Sequence, residues 1–360
     1  MNTINPPGEE ERCARFLGGL LEKAGFAVAY HEFSPTRASL IATIEGSADK
    51  LPLCFTGHLD TVPLGSAKWK RDPFAGETEG NRLYGRGTSD MKSGVAAFVA
   101  AAVRLAPELH RSPGLELVLT AGEETGCQGA FHLARQPGAL GRAGAVLVGE
   151  PSSNYPLVGH KGVIWLMAQT RGVTAHASMP EKGSNAIYKA ARAVSLLEEC
   201  RLDDVPHALM GRVTLNVGTI CGGLNVNSVP DEARFGIDVR TTPNLRHSEL
   251  IAELERRLGE EVELETVLDL ESVYTDSADP WVQEVFEVME GFLGSTPGPR
   301  VATYFTDAAA LQGAYCTPPT VILGPGEPEQ AHQTDEYCVI DRIEQAVLAY
   351  EEIARRWCAL

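Results

Sequence analysis

The chain is short of positive charge and has no long apolar run, no paired cysteine motif and no internal repeat. Its 31 Lys and Arg face 48 Asp and Glu, for a formal net charge of -17. A surface of that sign repels nucleic acid and anionic membranes, so neither is expected as a partner. We read the acidity as solubility. No apolar stretch reaches the ~18 residues that a membrane-spanning helix needs. The start, MNTINPPGEE, has neither a basic n-region nor an apolar h-region, and it does not read as a secretory signal peptide. The eight cysteines (Cys13, Cys54, Cys127, Cys200, Cys221, Cys316, Cys338 and Cys358) form no CxxC pair. The chain is also long for a disulfide scaffold, so these read as reduced thiols of a cytoplasmic protein, without a catalytic role. A GxSxG elbow is missing, which argues against a serine nucleophile. A dinucleotide fingerprint fails as well: in Gly85-Arg86-Gly87-Thr88-Ser89-Asp90 an Asp stands where the third glycine belongs.

What is present is apolar mass and alternating pattern. With 360 residues, 44% of them hydrophobic, the chain can bury a large core, and its length favours two domains. Residues 9–24 show helical periodicity, with Phe16, Leu17, Leu20 and Leu21 on one side. Leu51–Thr56, Leu115–Thr120 and Ala145–Val148 read as buried strands, and Ser93–Leu105 as an Ala-rich helix. This order predicts an α/β domain with a mostly parallel central sheet flanked by helices. The pattern changes near Lys161. Strands at Val163–Gln169, Val213–Ile220 and Ala233–Arg240, with helices at Asn185–Leu197 and Ser248–Leu258, predict a smaller α+β domain. After Ser272 the α/β style returns, with a helix from Trp281 to Phe292 and a strand at Thr320–Leu323. A last helix is expected from Asp341, with Glu344 completing a capping box. The expected organisation is therefore a discontinuous domain, 1–161 with 273–360, carrying an inserted domain at 162–272.

Five segments offer metal-type ligands, most of them where a strand ends, which is where open α/β sheets build their sites. His58 and Asp60, two apart in extended chain, can face the same way and touch. Zinc-bound imidazoles usually donate their other N–H to a carboxylate, yet a loop His beside a turn Asp is as natural a reading. Asp90 precedes the Ala-rich helix, and Asp is a favoured helix cap there. Glu123-Glu124 is either a solvated turn or a pair that divides metal binding from proton transfer. Glu150 follows a strand, and His332 lies in a late loop. Taken together the signals are stronger. Carboxylates crowded on one sheet edge repel one another and lose solvation unless a cation compensates.

The set GHLDTVP, GRGTSDMKSG, GEETG, GEPSS and AHQTDEY, in that order over nearly the whole chain, resembles the M20 zinc peptidases and deacylases. That family includes acetylornithine deacetylase, succinyl-diaminopimelate desuccinylase and carboxypeptidase G2-type enzymes. The resemblance implies two zinc ions per chain, with cobalt or manganese as alternatives. It implies that His58 and Glu150 hold one ion, that Glu124 and His332 hold the other, and that Asp90 bridges them. Glu123 would be the general base and Asp60 would orient His58. His176, in AHASMP, would reach the partner's active site in a homodimer built on residues 162–272, making that domain both a dimerisation element and a lid. Asn227 and Arg240 match substrate-contact positions, although a turn Asn and a surface-strand Arg read equally well from the residues alone. Glu at 150 resembles the deacylase and carboxypeptidase branches. Family members usually carry a further helix before NPPG, where this chain begins. The implied substrate is an N-acyl amino acid, N2-acetylornithine first, because Gly324–Tyr337 looks most like acetylornithine deacetylases. The rivals are a carboxypeptidase G2-like or dipeptide-cleaving enzyme and a non-catalytic zinc-stabilised binding protein. The last would be marked by a lost Glu123 or a lost ligand, and every one of those residues is present.

Overall fold

The structure, a computed structural model, describes residues 1–46, 49–202 and 205–360. The chain divides into two compact units, Met1–Gly159 with Val273–Leu360, and His160–Ser272.

The first unit is built on a six-stranded sheet. Its order is Ala27–Ser34, Arg37–Glu45, Gly114–Thr120, Leu53–His58, Ala145–Val148, Thr320–Ile322. The last four run parallel to one another, and the first two form an antiparallel hairpin on one edge. The parallel part follows from composition. LCFTGH and GLELVLT are buried along their whole length, as strands covered on both faces must be. The helix Ser93–Leu105 and the final helix meet on one of these faces. Phe55 stacks on Phe98 at 4.6 Å, and Phe98 packs on Tyr350 at 4.4 Å.

Four expectations need correction. The hairpin of Ala27–Ser34 with Arg37–Glu45 adds two strands to the expected sheet. In the first helix, Glu11–Lys23, the inward stripe is Cys13, Ala14, Leu17 and Leu21, while Phe16 and Leu20 stay 55% and 39% exposed. A stripe spaced i, i+3, i+7 leaves residues on either side of it turned outward. The strand expected to end at Thr56 runs to His58, because His58 still pairs in register with Thr120. The last helix begins at Ile340, so Asp341 lies inside it and no capping box forms. Asp341 instead exchanges two hydrogen bonds with Asn81, accepting from its Nδ2 and donating its own N–H to Oδ1.

The second unit is a four-stranded antiparallel sheet, ordered Thr214–Gly222, Glu232–Thr241, Gly162–Arg171, Val262–Leu270. Alternate residues Ile164, Leu166, Ala168 and Phe235, Ile237, Val239 point to one face. There they pack against Ala186, Ala190 and Leu197 of the helix Ala186–Glu198, and against Leu250 and Leu254 of the helix His247–Leu258. Asn185 caps the first of these helices by accepting the N–H of Tyr188. The fourth strand, VELETVLDL, is a further element that the sequence pattern does not predict. It lies at the sheet edge and is only partly buried. Among the described residues no helix is long and apolar enough to cross a membrane.

Candidate active site

The parallel strands of the first unit end at one edge, and three of the four deliver ionisable residues there. Leu53–His58 ends on His58 and leads to Asp60. Gly114–Thr120 leads to Glu123 and Glu124, and Ala145–Val148 leads to Glu150. Asp90 arrives on a separate turn. It does not cap the helix Ser93–Leu105, which starts after Lys92 without a side-chain cap, and its backbone is non-helical (φ -117°, ψ 97°). His332 comes from a loop beyond the edge strand, with φ at 64°.

The two carboxylate oxygens of Asp90 face two different imidazoles. Oδ1 lies 3.1 Å from His58 Nε2, and Oδ2 lies 3.5 Å from His332 Nε2. On the far side, His58 Nε2 is 3.7 Å from Glu150 and His332 Nε2 is 3.1 Å from Glu124. His58, Glu123 and Glu150 can point one atom each at a common centre, and so can His58, Asp90 and Glu124. A third grouping, His247 with Asp269 and Glu271, lies in the second unit with its carboxylates at the surface. There the ring nitrogens are already engaged, Nδ1 by Asp269 and Nε2 by Thr241.

Second-layer contacts set the ring and the turn. His58 Nδ1 donates to the carbonyl of Asp60 at 3.0 Å, which leaves Nε2 as the atom that faces the carboxylates. The Asp60 carboxylate is farther from that ring, at 3.5 Å. It mainly holds the neighbouring turn. Oδ1 accepts the N–H groups of Gly122 and Glu123 at 2.9 and 3.1 Å, and Oδ2 accepts those of Glu124 and of Asn5 Nδ2 at 3.2 and 2.9 Å. Asp60 thus aims Glu123 and Glu124 as well as His58. Asn5, which also donates to Thr125, carries no sequence signal beyond its place beside two prolines. Asp307 carries none either. It is buried, accepts a hydrogen bond from Thr120 at the strand end, and has its pKa pushed up to about 6 by that burial.

The electrostatics of the cluster suit a cation. Burial pushes the carboxyls of Glu123, Glu124 and Glu150 up, that of Glu150 to about 8. Burial works against a charged His58, yet Glu150, Asp60 and Asp90 together hold its pKa well above the ordinary value. Hydrogen bonds to Asp90 and Glu124 push His332 up to about 10. Every group in the cluster is displaced toward its protonated form except Asp60 and Asp90, which the imidazoles hold down. The carboxylates that raise both imidazoles make a negative field, and such a field favours a divalent cation in the same place. One oxygen of Glu124 is also buried without a hydrogen-bond partner, as a ligand atom would be. Imidazole nitrogen with carboxylate oxygen is a donor set that suits zinc and its first-row neighbours.

The remaining candidates lie in the second unit. A short bridge joins their segments, with Ala177 N–H donating to the Asn227 carbonyl and Val229 N–H to that of Ala175. His176 and Asn227 are both exposed. His176 Nδ1 accepts the N–H of Ser178, so its Nε2 carries the hydrogen in the neutral ring and points outward as a donor. Arg240 holds Asp238 through both prongs of its guanidinium, at 2.8 and 2.9 Å.

A strand-edge cluster of this kind on an α/β sheet, with a second α+β unit inserted in the chain, has clear relatives. Residues 54–356 match the model of peptidase family M20/M25/M40. Acetylornithine deacetylase of Proteus mirabilis is 31% identical over 97% of this chain and 90% of that protein. An M20 family metallo-carboxypeptidase from Sulfolobus solfataricus has the same fold, with a TM-score of 0.81 at 19% identity over 100% of this chain and 97% of that one. A dinuclear metal-binding M20 peptidase from Bacillus subtilis superposes with a TM-score of 0.71 at 16% identity, covering 97% and 93% of the two chains. The chain therefore belongs to peptidase family M20/M25/M40, and it is a hydrolase of linear amide C–N bonds.

Proposed function

We propose that the protein removes the acyl group from an N-acyl amino acid, with N2-acetylornithine as the first candidate. The observation that carries the reading is the Asp90 carboxylate, one oxygen toward His58 and the other toward His332, each imidazole backed by its own glutamate. A carboxylate so placed could serve two cations at once. His58 and Glu150 would hold one of them, Glu124 and His332 the other. Zinc is the first choice, with cobalt and manganese as alternatives. Two such ions, when bound, supply Lewis acidity toward the scissile carbonyl and a water of lowered pKa.

The protein's own groups do the rest. Glu123 lies among these ligands with its carboxyl proton affinity raised by burial, which suits a group that accepts a proton and returns it. It takes the proton of the attacking water and delivers it to the nitrogen of the leaving amine. Asp60 keeps Glu123 in reach by gripping the backbone of its turn. The outward Nε2–H of His176 is a donor for the carbonyl oxygen as negative charge gathers there. No acceptor in its own segment uses that proton, and we assign it to the site of a partner chain in a homodimer formed through 162–272. Support for a contact surface in that unit comes from Leu224 and Val226, which are 97% and 101% exposed, and from Ile220 at 54%. Arg240 takes the substrate carboxylate by exchanging it for that of Asp238, since a planar fork accepts either in the same way. Asn227 sits beside His176 as a further polar contact.

Release of free amine from N-acetyl, N-succinyl and peptidyl amino acids, before and after metal loading, tests the reading. Turnover of N-acetyl substrates that depends on added metal supports it. Cleavage of peptides alone would move the protein to the carboxypeptidase and dipeptidase side of the family, and no turnover of any amide by the metal-loaded protein would refute the mechanism.

A further inference from the structure

The turn that carries Asp90 is folded around a second buried carboxylate. Glu336 is fully buried, and Arg86 opposite it is 5% exposed. Glu336 Oε2 accepts from Arg86 Nη1 at 2.7 Å and from the N–H of Gly87 at 2.9 Å. Oε1 accepts the N–H of Ser89 at 2.7 Å and that of Asp90 itself at 3.1 Å. The Glu336 carbonyl takes the N–H of Gly85, extending the pairing of Tyr337–Val339 with Arg82–Tyr84. The same late loop carries His332, four residues earlier. The Glu336 side chain therefore ties the backbone of Asp90 to the segment that presents the imidazole facing its second oxygen, with flanking ties from Arg86 to the Gln333 carbonyl and from Ser89 Oγ to the backbone of Glu327.

We propose that Glu336 is the positioning residue of the two-metal site: it sets the spacing between Asp90 and His332 by holding the 87–90 turn on its carboxylate. The inference rests on the reading of Asp90 as a bridge. A carboxylate that would serve two cations has to keep its place relative to the other ligands of both, and a turn free to shift would weaken one of them. Thr88 and Lys92 close the turn through the carbonyls of Gly85 and Gly87, but the N–H groups of Gly87, Ser89 and Asp90 go to Glu336. A glutamine in its place has only one acceptor oxygen. Its amide must turn N–H donors toward either Ser89 and Asp90 or Arg86 and Gly87.

The test is calorimetric titration of the metal-free full-length protein with zinc, alongside its thermal unfolding without metal. Glu336→Gln is expected to weaken binding at the Asp90–His332 side on the order of 10–100-fold, the usual effect of losing an outer-shell partner. Arg86→Lys separates this role from simple stability. It disturbs the buried ion pair and the guanidinium's bonds to the carbonyls of Gln333 and Pro63, both at 3.2 Å, but leaves the carboxylate on the three backbone N–H groups, and its zinc affinity should stay within a few-fold of the parent. Equal affinity losses in the two variants at equal loss of metal-free stability would overturn the proposal, as would parent-like zinc binding by Glu336→Gln. Where Glu336→Gln does not fold, Glu336→Asp keeps the charge but draws it back by one methylene, and the same loss of affinity is expected. Asp90→Ala runs beside them. Two ions bound with parent affinity by that variant would overturn the bridging reading itself, whereas loss in Asp90→Ala without loss in Glu336→Gln would overturn only the role of Glu336.

Discussion

Replacing Asp60 by asparagine changes one atom's chemistry at constant shape, and the local hydrogen bonds determine its cost. Both carboxylate oxygens are in use. Oδ1 receives the N–H groups of Gly122 and Glu123, and Oδ2 those of Glu124 and Asn5. An amide group has one oxygen and one NH2, so either rotamer turns donors against two N–H groups that now have no acceptor. The imidazole beside it also loses a neighbouring negative charge. Hydrogen bonds to a charged group contribute ~1.5–3 kcal/mol each, and the two lost contacts sum to about 3–6 kcal/mol before relaxation. A shift of the turn by a few tenths of an ångström recovers part of this, and we expect a loss of about 3 kcal/mol in the metal-free protein. Domains of ordinary stability hold about 5–15 kcal/mol, so the variant should still fold. The same shift moves Glu123 and Glu124, and turnover should fall roughly 10–100-fold, as for other partners of a metal site's ligands. Urea unfolding of the metal-free protein, metal content and kcat are the three measurements. A variant with unchanged stability and unchanged kcat would refute the assignment of Asp60 as the anchor of the 122–124 turn. One with lost stability but parent kcat would confine its role to folding.

Glu123→Gln should retain fold and metal while kcat falls by ~10²–10⁴, the usual worth of general acid–base catalysis. Near-normal kcat with metal content verified would remove Glu123 from that role. Asp90→Ala should bind less metal than any other single-ligand variant, since it strips one oxygen from each side; two zinc ions per chain measured in that protein would reduce Asp90 to a structural turn residue. His176→Ala should keep its metal and lose ~10²–10³ in kcat, the cost of one oxyanion donor. Mixing Glu123→Gln and His176→Ala chains should then restore activity in hybrid dimers, because one site in each hybrid has both groups intact. Verified hybrids that stay inactive exclude action across the interface, and a fully active His176→Ala protein makes the histidine structural.

The ionisable residues at the strand ends were legible because the apolar runs before them were. LPLCFT and LELVLT read as buried strands, and a buried parallel strand has to end at an edge where its next polar residue meets those of its neighbours. His58, Glu123, Glu124 and Glu150 are placed by that rule alone. The helix faces were less legible. Phe16 and Leu20 look like core residues, yet the direction of the inward stripe is decided by what the helix packs against, and both stay at the surface. The fourth strand of the second unit, VELETVLDL, alternates in the expected way, but so many of its residues are charged that only its pairing with Gly162–Arg171 shows it to be a strand.

By itself the sequence determined the α/β layering, the change of style within the chain, and which residue types were available for cation chemistry, because these depend on local periodicity and on side-chain identity. Tertiary structure alone decided that Asp90 turns its two oxygens toward His58 and His332, that Asp60 grips a turn more than sixty residues away, and that Asn5 and Glu336 hold the frame. Those roles rest on which backbone N–H comes within about 3 Å of a carboxylate oxygen, a distance set by the packing of segments remote in the chain and invisible to any local pattern.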